Sequence, residues 1–182
     1  MSNITISGTP GSGKSTIAEL LQDHVSLEYV YSGMIFRQLA EEYNMSLAEF
    51  GRYCETHDEI DQRLDKKQVA ILKQGNVLLE GRLAGWLATL NKISAFKIWI
   101  DADIMIRAQR IVKREGGRMN EQYNKLVERQ QSEQKRYKKY YDIDVTDTSI
   151  YDIIIDSSHK TPEEILTIIL TNIEQEKFNI KK

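Results

Sequence analysis

A glycine-rich stretch near the start of the chain, ISGTPGSGKST from Ile6 to Thr16, limits most strongly what this sequence can fold into. It fits the pattern G-x-x-x-x-G-K-[ST], with Gly8, Gly13, Lys14 and Ser15 at the fixed positions. Such a phosphate-binding loop needs a β-strand before it and an α-helix after it. The run NITIS supplies the strand, and TIAELLQ supplies a helix with apolar residues at helical spacing. We therefore predict a strand-loop-helix unit that binds the phosphates of a nucleoside triphosphate.

Further apolar runs indicate the rest of the fold. Runs rich in Ile, Val and Tyr predict strands over residues 3–8, 27–32, 76–81, 96–101 and 151–156. Because strands that are apolar throughout are buried on both faces, they indicate a parallel sheet that is covered by helices. We predict an α/β fold of the P-loop NTPase type, with a five-stranded parallel sheet, helices on both faces and a single domain over residues 1–182.

Two helix starts are marked by capping boxes. The sequences SLAE (46–49) and TPEE (161–164) each have a hydroxyl residue three positions before a glutamate. In a capping box the hydroxyl and the carboxylate each accept a hydrogen bond from the backbone N–H of the other residue. Both sequences therefore predict helix N-termini.

The overall composition indicates a globular protein. Hydrophobic residues make up 41% and charged residues 29% of the 182 residues, which are ordinary fractions for a folded domain. The single cysteine, Cys54, excludes an intramolecular disulfide, and we expect it to be buried in the core. No apolar run approaches the roughly 18 residues that span a bilayer, and no basic leader precedes the first strand. We expect a cytoplasmic protein that does not contact a membrane.

Positive charge is concentrated in one segment of the chain. The net charge is −2, but residues 107–139 contain eleven Lys or Arg and four Glu. Such a segment attracts either nucleic acid or the phosphates of a small ligand. A solvated helix with ion pairs four residues apart explains the charge pattern as well.

The phosphate loop has a defined chemistry. Its glycines let backbone N–H groups point at a phosphate, and the following helix adds the positive end of its dipole. We expect Lys14 to reach the β- and γ-phosphates and Ser15 to supply an oxygen ligand to Mg²⁺. The predicted loop residues at the triphosphate are Gly8, Thr9, Pro10, Gly11, Ser12, Gly13, Lys14, Ser15 and Thr16.

The group that accepts the γ-phosphoryl must be inferred from other residues. A hydroxyl acceptor needs a general base, whereas a phosphate acceptor is already a dianion near pH 7 and needs cations to offset repulsion. Arg37 and Arg82 each follow a predicted strand, at the sheet edge where ligands bind. Arg129 and Arg136 are seven residues apart and share a helix face. These arginines favour a phosphate acceptor.

Four segments after the phosphate loop carry a resemblance to a known family. They are YSGMIFR, LLEGRLAGW, IDADIMIRAQRIVKREGG and ERQQSEQKRYKKYYDIDVTDTSIYDIIIDSS. In this order the chain resembles, over nearly its whole length, the cytidylate kinases, in particular their archaeal type, among the nucleoside monophosphate kinases. The resemblance implies transfer of the γ-phosphoryl of ATP to CMP or dCMP with Mg²⁺. It also implies a nucleoside monophosphate-binding insertion at about 33–74 and a lid at about 114–140.

The resemblance also implies roles for single residues. Lys14, Arg129 and Arg136 are the expected catalytic residues, and Arg110 is expected to stack on the adenine of ATP. The lid is expected to bend at Gly116 and Gly117. The residues expected at the acceptor nucleotide are Ser32, Gly33, Arg37, Arg82 and Arg107.

Several alternatives stay open at this point. Asp101 and Glu80 both end strands and are candidates to orient Mg²⁺ beside Ser15; of the two we favour Asp101. Alternative functions are an adenylate kinase or other small-metabolite kinase, or a nucleotide-dependent switch that binds RNA through the basic segment. We expect a monomer whose partners are ATP, CMP and dCMP, with no nucleic acid.

Overall fold

A computed structural model describes residues 3–45 and 47–180 of the chain. Its strands form one sheet in the order β2-β3-β1-β4-β5, and every neighbouring pair is parallel. The predicted α/β fold is therefore confirmed, and each strand lies within a predicted run. The strands are β1 (Asn3–Gly8), β2 (Glu28–Tyr31), β3 (Val77–Glu80), β4 (Phe96–Asp101) and β5 (Ile153–Asp156).

Helices connect the strands and cover the sheet. The described residues form α1 (Lys14–Gln22), α2 (Ser32–Glu42), α3 (Leu47–Thr56), α4 (Asp58–Gln74), α5 (Ala84–Leu90), α6 (Ile104–Glu115), α7 (Met119–Tyr141) and α8 (Pro162–Ile180). Strand β2 is shorter than predicted because Ser32 already belongs to α2. Three helices, α2 to α4, lie between β2 and β3, which is the region of the expected insertion.

The two faces of the sheet carry separate apolar cores. On one face, Ile4, Ile98 and other alternate strand residues pack with α1 and α8. On the other face, Leu79 and neighbouring residues pack with α4, α5 and the end of α7. Successive side chains of a strand point to opposite faces of the sheet. Every second residue of a strand therefore packs on the same face.

The helices outside the sheet have small cores of their own. Phe50, Cys54 and Ile60 are buried where α2, α3 and α4 meet, and the prediction that Cys54 is buried is confirmed. A further cluster of Ala108, Ile111 and Leu126 joins α6 to α7. The helices α2 to α4 and the helix pair α6–α7 thus have packing of their own beyond the two cores of the sheet.

The cap of α8 has the predicted form. The backbone N–H of Thr161 donates to Glu164 Oε2 at 2.8 Å, and the N–H of Glu164 donates to Thr161 Oγ1 at 3.2 Å. The other predicted capping box begins at Ser46, which lies outside the described residues. Within the described parts of the chain, no helix combines the length and apolar character needed to cross a lipid bilayer.

The strand order determines where a ligand site forms. Strand β1 lies at the centre of the sheet, between β3 and β4. Because all strands are parallel, the loops after β1, β3 and β4 meet at one edge. The phosphate loop, the segment around Arg82 and the segment around Asp101 are therefore neighbours.

Candidate active site

The phosphate loop has the backbone conformation that its glycines allow. Gly8 and Gly13 have φ angles of 148° and 92°, and a Cβ on Gly8 would lie 1.9 Å from the backbone oxygen of Ile100. Side chains are therefore excluded from this part of the loop. Residues 11–16 line a cavity of about 360 Å³, which we call the P-loop cavity. The loop thus presents its backbone, followed by the N-terminus of α1, to an anion.

Lys14 is a buried cation at the start of α1. Its Nζ donates to the backbone oxygen of Thr9 at 2.7 Å, and the residue is only 8% exposed. Burial lowers the pKa of Lys14 well below its usual value, and the nearby Arg82 guanidinium lowers it further. A bound anion would relieve both effects, so Lys14 is positioned to bind phosphate.

Ser15 lies beside a carboxylate from β3. Its Oγ donates to Glu80 Oε1 at 2.9 Å, while the hydroxyl of Tyr29 donates to Glu80 Oε2 at 2.6 Å. The other candidate acid, Asp101, instead accepts hydrogen bonds from the Thr9 hydroxyl and from the backbone N–H of Ala102. The geometry therefore favours Glu80 over Asp101 as the acid next to Ser15.

The donor atoms of Ser15 and Glu80 suit a magnesium ion. Mg²⁺ prefers hard oxygen ligands and is usually held by one or two protein groups together with substrate phosphates. Ser15 and Glu80 supply two such oxygens at the mouth of the phosphate loop. Among the described residues, no cluster of three or more His, Cys, Asp or Glu could hold a metal.

Arg82 links β3, the phosphate loop and helix α7. It donates to the backbone oxygen of Gly8, and its Nε lies 3.3 Å from Glu133 Oε1. The same oxygen of Glu133 accepts from Arg129 Nε at 2.9 Å. Burial lowers the pKa of Arg82 to about 10. Two arginines thus share one buried carboxylate from α7.

Two cavities connect these groups. A cavity of about 400 Å³, the junction cavity, is lined by Lys14, Ser15, Glu80, Arg82 and Arg129 among others. A cavity of about 560 Å³, the arginine cavity, extends between α2, α3, α4 and α7 and is lined by Arg82, Arg129 and Arg136 among others. Arg82 and Arg129 belong to both, so the arginine cavity adjoins the junction cavity at the phosphate loop.

The arginines of α6 support the phosphate loop. Arg110 donates to the backbone oxygen of Ser12 at 3.3 Å and to Ser157 Oγ at 2.9 Å, and it lines the P-loop cavity. Arg107 is only 4% exposed and donates to the backbone oxygens of Ala102 and Pro10. These bonds direct Arg107 to the outer side of the loop, so it does not line the junction or arginine cavity, where an acceptor-binding residue was expected.

The predicted residues of α2 lie at the cavity wall. Ser32 and Gly33 line both the junction and arginine cavities. Arg37 is exposed. Its guanidinium lies 5.6 Å from the centre of the Tyr31 ring and donates to the Tyr31 hydroxyl, so Arg37 is connected to the site through Tyr31. Tyr31 itself lines the junction cavity.

Three residues of the site were not anticipated from the sequence. Glu133 lies four residues after Arg129, and this helical spacing was a usable signal for an ion pair. Asp65 and Gln68 of α4 line the arginine cavity and are buried. No sequence motif marks these two residues.

Comparisons with known proteins agree with this geometry. A family model described as the cytidylate kinase-like family matches residues 3–159. A protein named cytidylate kinase from Pyrococcus horikoshii is 46% identical over 94% of this chain and 88% of its own length. One from Methanocaldococcus jannaschii is 46% identical over 98% of this chain and 99% of its own length.

Solved structures with the same fold are more distant in sequence. Shikimate kinase from Bacteroides thetaiotaomicron superposes with a TM-score of 0.65 at 13% identity, covering 95% of this chain and 98% of its own. Shikimate kinase from Acinetobacter baumannii, solved with shikimate, gives a TM-score of 0.61 at 15% identity, covering 97% of this chain and 95% of its own. Similarity at this level of identity concerns the fold alone.

Proposed function

Because the chain belongs to the cytidylate kinase-like family, we propose that it transfers the γ-phosphoryl group of ATP to CMP or dCMP, yielding ADP and CDP or dCDP. One observation carries this proposal: Lys14 of the phosphate loop and the guanidinium groups of Arg82 and Arg129 line the same cavity. A kinase whose acceptor is a phosphate needs such an arrangement, because the two anions repel each other until cations lie between them.

On the donor side, the phosphate loop binds the triphosphate of ATP. Backbone N–H groups of residues 11–16 surround the β- and γ-phosphates, and Lys14 balances their charge. Ser15 and Glu80 would hold Mg²⁺, which would supply positive charge against the phosphates of ATP. Arg110, which lines the same cavity, is suited to pack on the adenine.

On the acceptor side, arginines hold the phosphate of CMP. Arg82, Arg129 and Arg136 line the arginine cavity, and two of them also face the donor side. No general base is required, because the acceptor phosphate is largely ionised at neutral pH. Catalysis therefore depends on alignment of the two phosphates and on charge neutralisation.

Arg82 and Arg129 both contact one carboxylate oxygen of Glu133. The acceptor phosphate carries more charge than one carboxylate and can engage both guanidinium groups bidentately. We infer that CMP takes over Arg82 and Arg129 from Glu133 as it binds. This exchange keeps the largely buried Arg82 and the more exposed Arg129 paired in both states.

Two helical segments exclude water from the reaction. Helices α2 to α4 form the binding insertion for the acceptor, and the segment around α7 forms the lid. Between α6 and α7, Gly116 and Gly117 have φ angles of 77° and 90°, a conformation that glycine adopts without strain. Bending here closes α7 over both nucleotides and prevents hydrolysis of ATP.

A panel of acceptors tests the proposal. Turnover with ATP is measured on CMP, dCMP, UMP, AMP and shikimate at equal concentrations. We expect the highest kcat/KM on a cytidine nucleotide. Best turnover on any other acceptor would contradict the proposal, and slow ATP hydrolysis that no acceptor accelerates would support a nucleotide-dependent switch.

A further inference from the structure

The arginine cavity contains a polar wall that the phosphate chemistry does not use. Helix α4 contributes Asp65 and Gln68 to the lining, and both are buried, with 7% and 2% of their surface exposed. Buried polar side chains are costly unless they are hydrogen-bonded or serve a ligand. This wall lies on a different element from the arginines, which belong to the segment after β3 and to α7.

The hydrogen bonds of this wall fix the orientation of both side chains. Gln68 Nε2 donates to Asp65 Oδ1 at 3.0 Å, and the Tyr141 hydroxyl donates to Asp65 Oδ2 at 2.5 Å. The reverse orientation of the Gln68 amide would direct its carbonyl oxygen at the carboxylate, which is repulsive. Each oxygen of Asp65 therefore accepts a hydrogen bond, one from Gln68 of α4 and one from Tyr141 of α7.

The wall has more accepting than donating atoms. The ionised carboxylate of Asp65 offers only acceptor atoms. Gln68 Oε1 accepts no hydrogen bond from any described residue. Gly81 makes room for this oxygen, because a Cβ at that position would lie 2.9 Å from it. A ligand group placed against this wall must therefore be a hydrogen-bond donor.

The other acidic residues of the cavity are not equivalent to Asp65. Glu133 lies beside Arg82 and Arg129, where the phosphate rather than the base is proposed to bind, and Glu128 is exposed on α7. A nucleoside monophosphate whose phosphate binds these arginines has its sugar hydroxyls and its base as the remaining polar groups to be recognised. Apolar surface from Phe36 and Leu64 also lines the cavity and suits the faces of an aromatic base.

We propose that Asp65, oriented by Gln68 and Tyr141, accepts a hydrogen bond from the exocyclic amine of the cytosine base and thereby distinguishes cytosine from uracil. Cytosine carries an amine donor at C4, and Asp and Glu are suitable acceptors for it. Uracil carries a carbonyl oxygen at C4, which would face the carboxylate and be repelled. This inference rests on the proposed function and adds a residue that determines specificity for the base.

The test compares three acceptors that differ in the group at C4 of the base, one of which, UMP, also carries a hydrogen on N3. They are CMP, UMP and the 2-pyrimidinone ribonucleoside monophosphate, which has hydrogen in place of the amine. For the unaltered protein we expect kcat/KM on CMP to exceed that on UMP by roughly 100-fold, and loss of the amine to cost at least about 10-fold. Equal kcat/KM on CMP and the 2-pyrimidinone nucleotide would overturn the inference.

Substitution of Asp65 assigns this preference to one side chain. In Asp65→Asn the amide can donate to the uracil oxygen, so we expect the CMP/UMP ratio of kcat/KM to fall at least about 10-fold. Equilibrium binding of CMP and UMP without ATP should change in the same direction. Asp58→Asn is the matched control, because Asp58 also lies on α4 and accepts from α7 residues, Lys139 and Tyr140, but does not line the cavity. Its ratio should be unchanged.

A purely structural role predicts a different result. If Asp65 only joins α4 to α7, Asp65→Asn lowers activity on CMP and UMP by the same factor, and the inference is overturned. Should Asp65→Asn fail to fold, Tyr141→Phe decides, since it keeps the carboxylate but frees one oxygen; we expect its CMP/UMP ratio to fall about 3-fold or more. Variants that turn over CMP with an unaltered CMP/UMP ratio of kcat/KM would overturn only this inference. An unaltered protein that turns over no cytidine nucleotide would overturn the proposed function.

Discussion

At the scale of the residue, the site depends on pairing of buried charges. Lys14 and Arg82 are both buried cations whose pKa values are lowered by burial, and Glu133 is the carboxylate nearest to Arg82. Removal of one partner from such a group leaves uncompensated charge in a low-dielectric region. The residues that bind anions in this protein are therefore also sensitive points of its stability.

Replacement of Glu133 separates these two roles. We expect Glu133→Gln to lower the free energy of unfolding by about 2 kcal/mol, because Arg82 and Arg129 lose their counter-ion. The affinity for CMP should rise, since the phosphate no longer competes with a carboxylate. Thermal unfolding with and without CMP measures both effects. Unchanged stability together with weaker CMP binding would contradict the exchange of partners.

Arg37 offers a second residue-scale prediction. Its side chain is exposed, so Arg37→Ala should leave the fold intact while removing positive charge beside Tyr31 at the junction cavity. We expect the KM for CMP to rise several-fold, by about 1 kcal/mol of binding free energy, and the KM for ATP to stay constant. Arg63→Ala is the control, because Arg63 is also exposed and lies 5.9 Å from the Tyr43 ring. Equal increases in both KM values for Arg37→Ala would show that its role is misassigned.

At the scale of the element, helix starts contribute to stability independently of the site. The capping box of α8 lies at Thr161 and Glu164. We expect Thr161→Ala to lower the free energy of unfolding by about 1 kcal/mol, which corresponds to a Tm lower by about 2–4 °C, with kcat/KM unchanged. Differential scanning calorimetry and the kinase assay check these values. A loss of activity without a loss of stability would mean that the start of α8 takes part in catalysis.

At the scale of the whole molecule, α7 is the element that we expect to couple the two proposed nucleotide sites. The helix contributes Arg129 to the junction cavity and packs on α6 through Leu126 and Ala108. We expect CMP with a non-hydrolysable ATP analogue to slow amide hydrogen exchange in residues 114–140 more than either ligand alone, because only the pair supplies charge on both sides. Protection confined to residues 8–16 would contradict closure by this segment.

Much of the fold could be predicted from local patterns. The five strands follow from short runs of Ile, Val and Tyr, and the phosphate loop follows from glycines at fixed spacing, because each of these signals is contained within a few adjacent residues. The role of Arg107 could not be predicted in this way. Its side chain is directed to Pro10 by packing between α6 and the loop, which sequence order does not reveal.

The acids at the site were less predictable than the loop. Glu80 and Asp101 both end strands, and only the structure gives Ser15 a hydrogen bond to Glu80 rather than Asp101. Asp65 and Glu133 come from helices that are far apart in sequence and meet in one cavity. A single acidic residue on a helix does not by itself indicate a binding site in the sequence, since most such residues are exposed to solvent and form surface ion pairs.

The sequence by itself determined that this protein forms a parallel α/β sheet with a phosphate loop after its first strand. That information is local, because backbone angles and strand burial depend on neighbouring residues. The tertiary structure alone shows which polar and charged groups are brought together around the cavities: Lys14 with Arg82, Arg82 with Glu133, and Asp65 with Tyr141. The physical reason is that long-range pairing depends on how helices pack against the sheet, and the free energy of each buried charge depends on the groups brought to it.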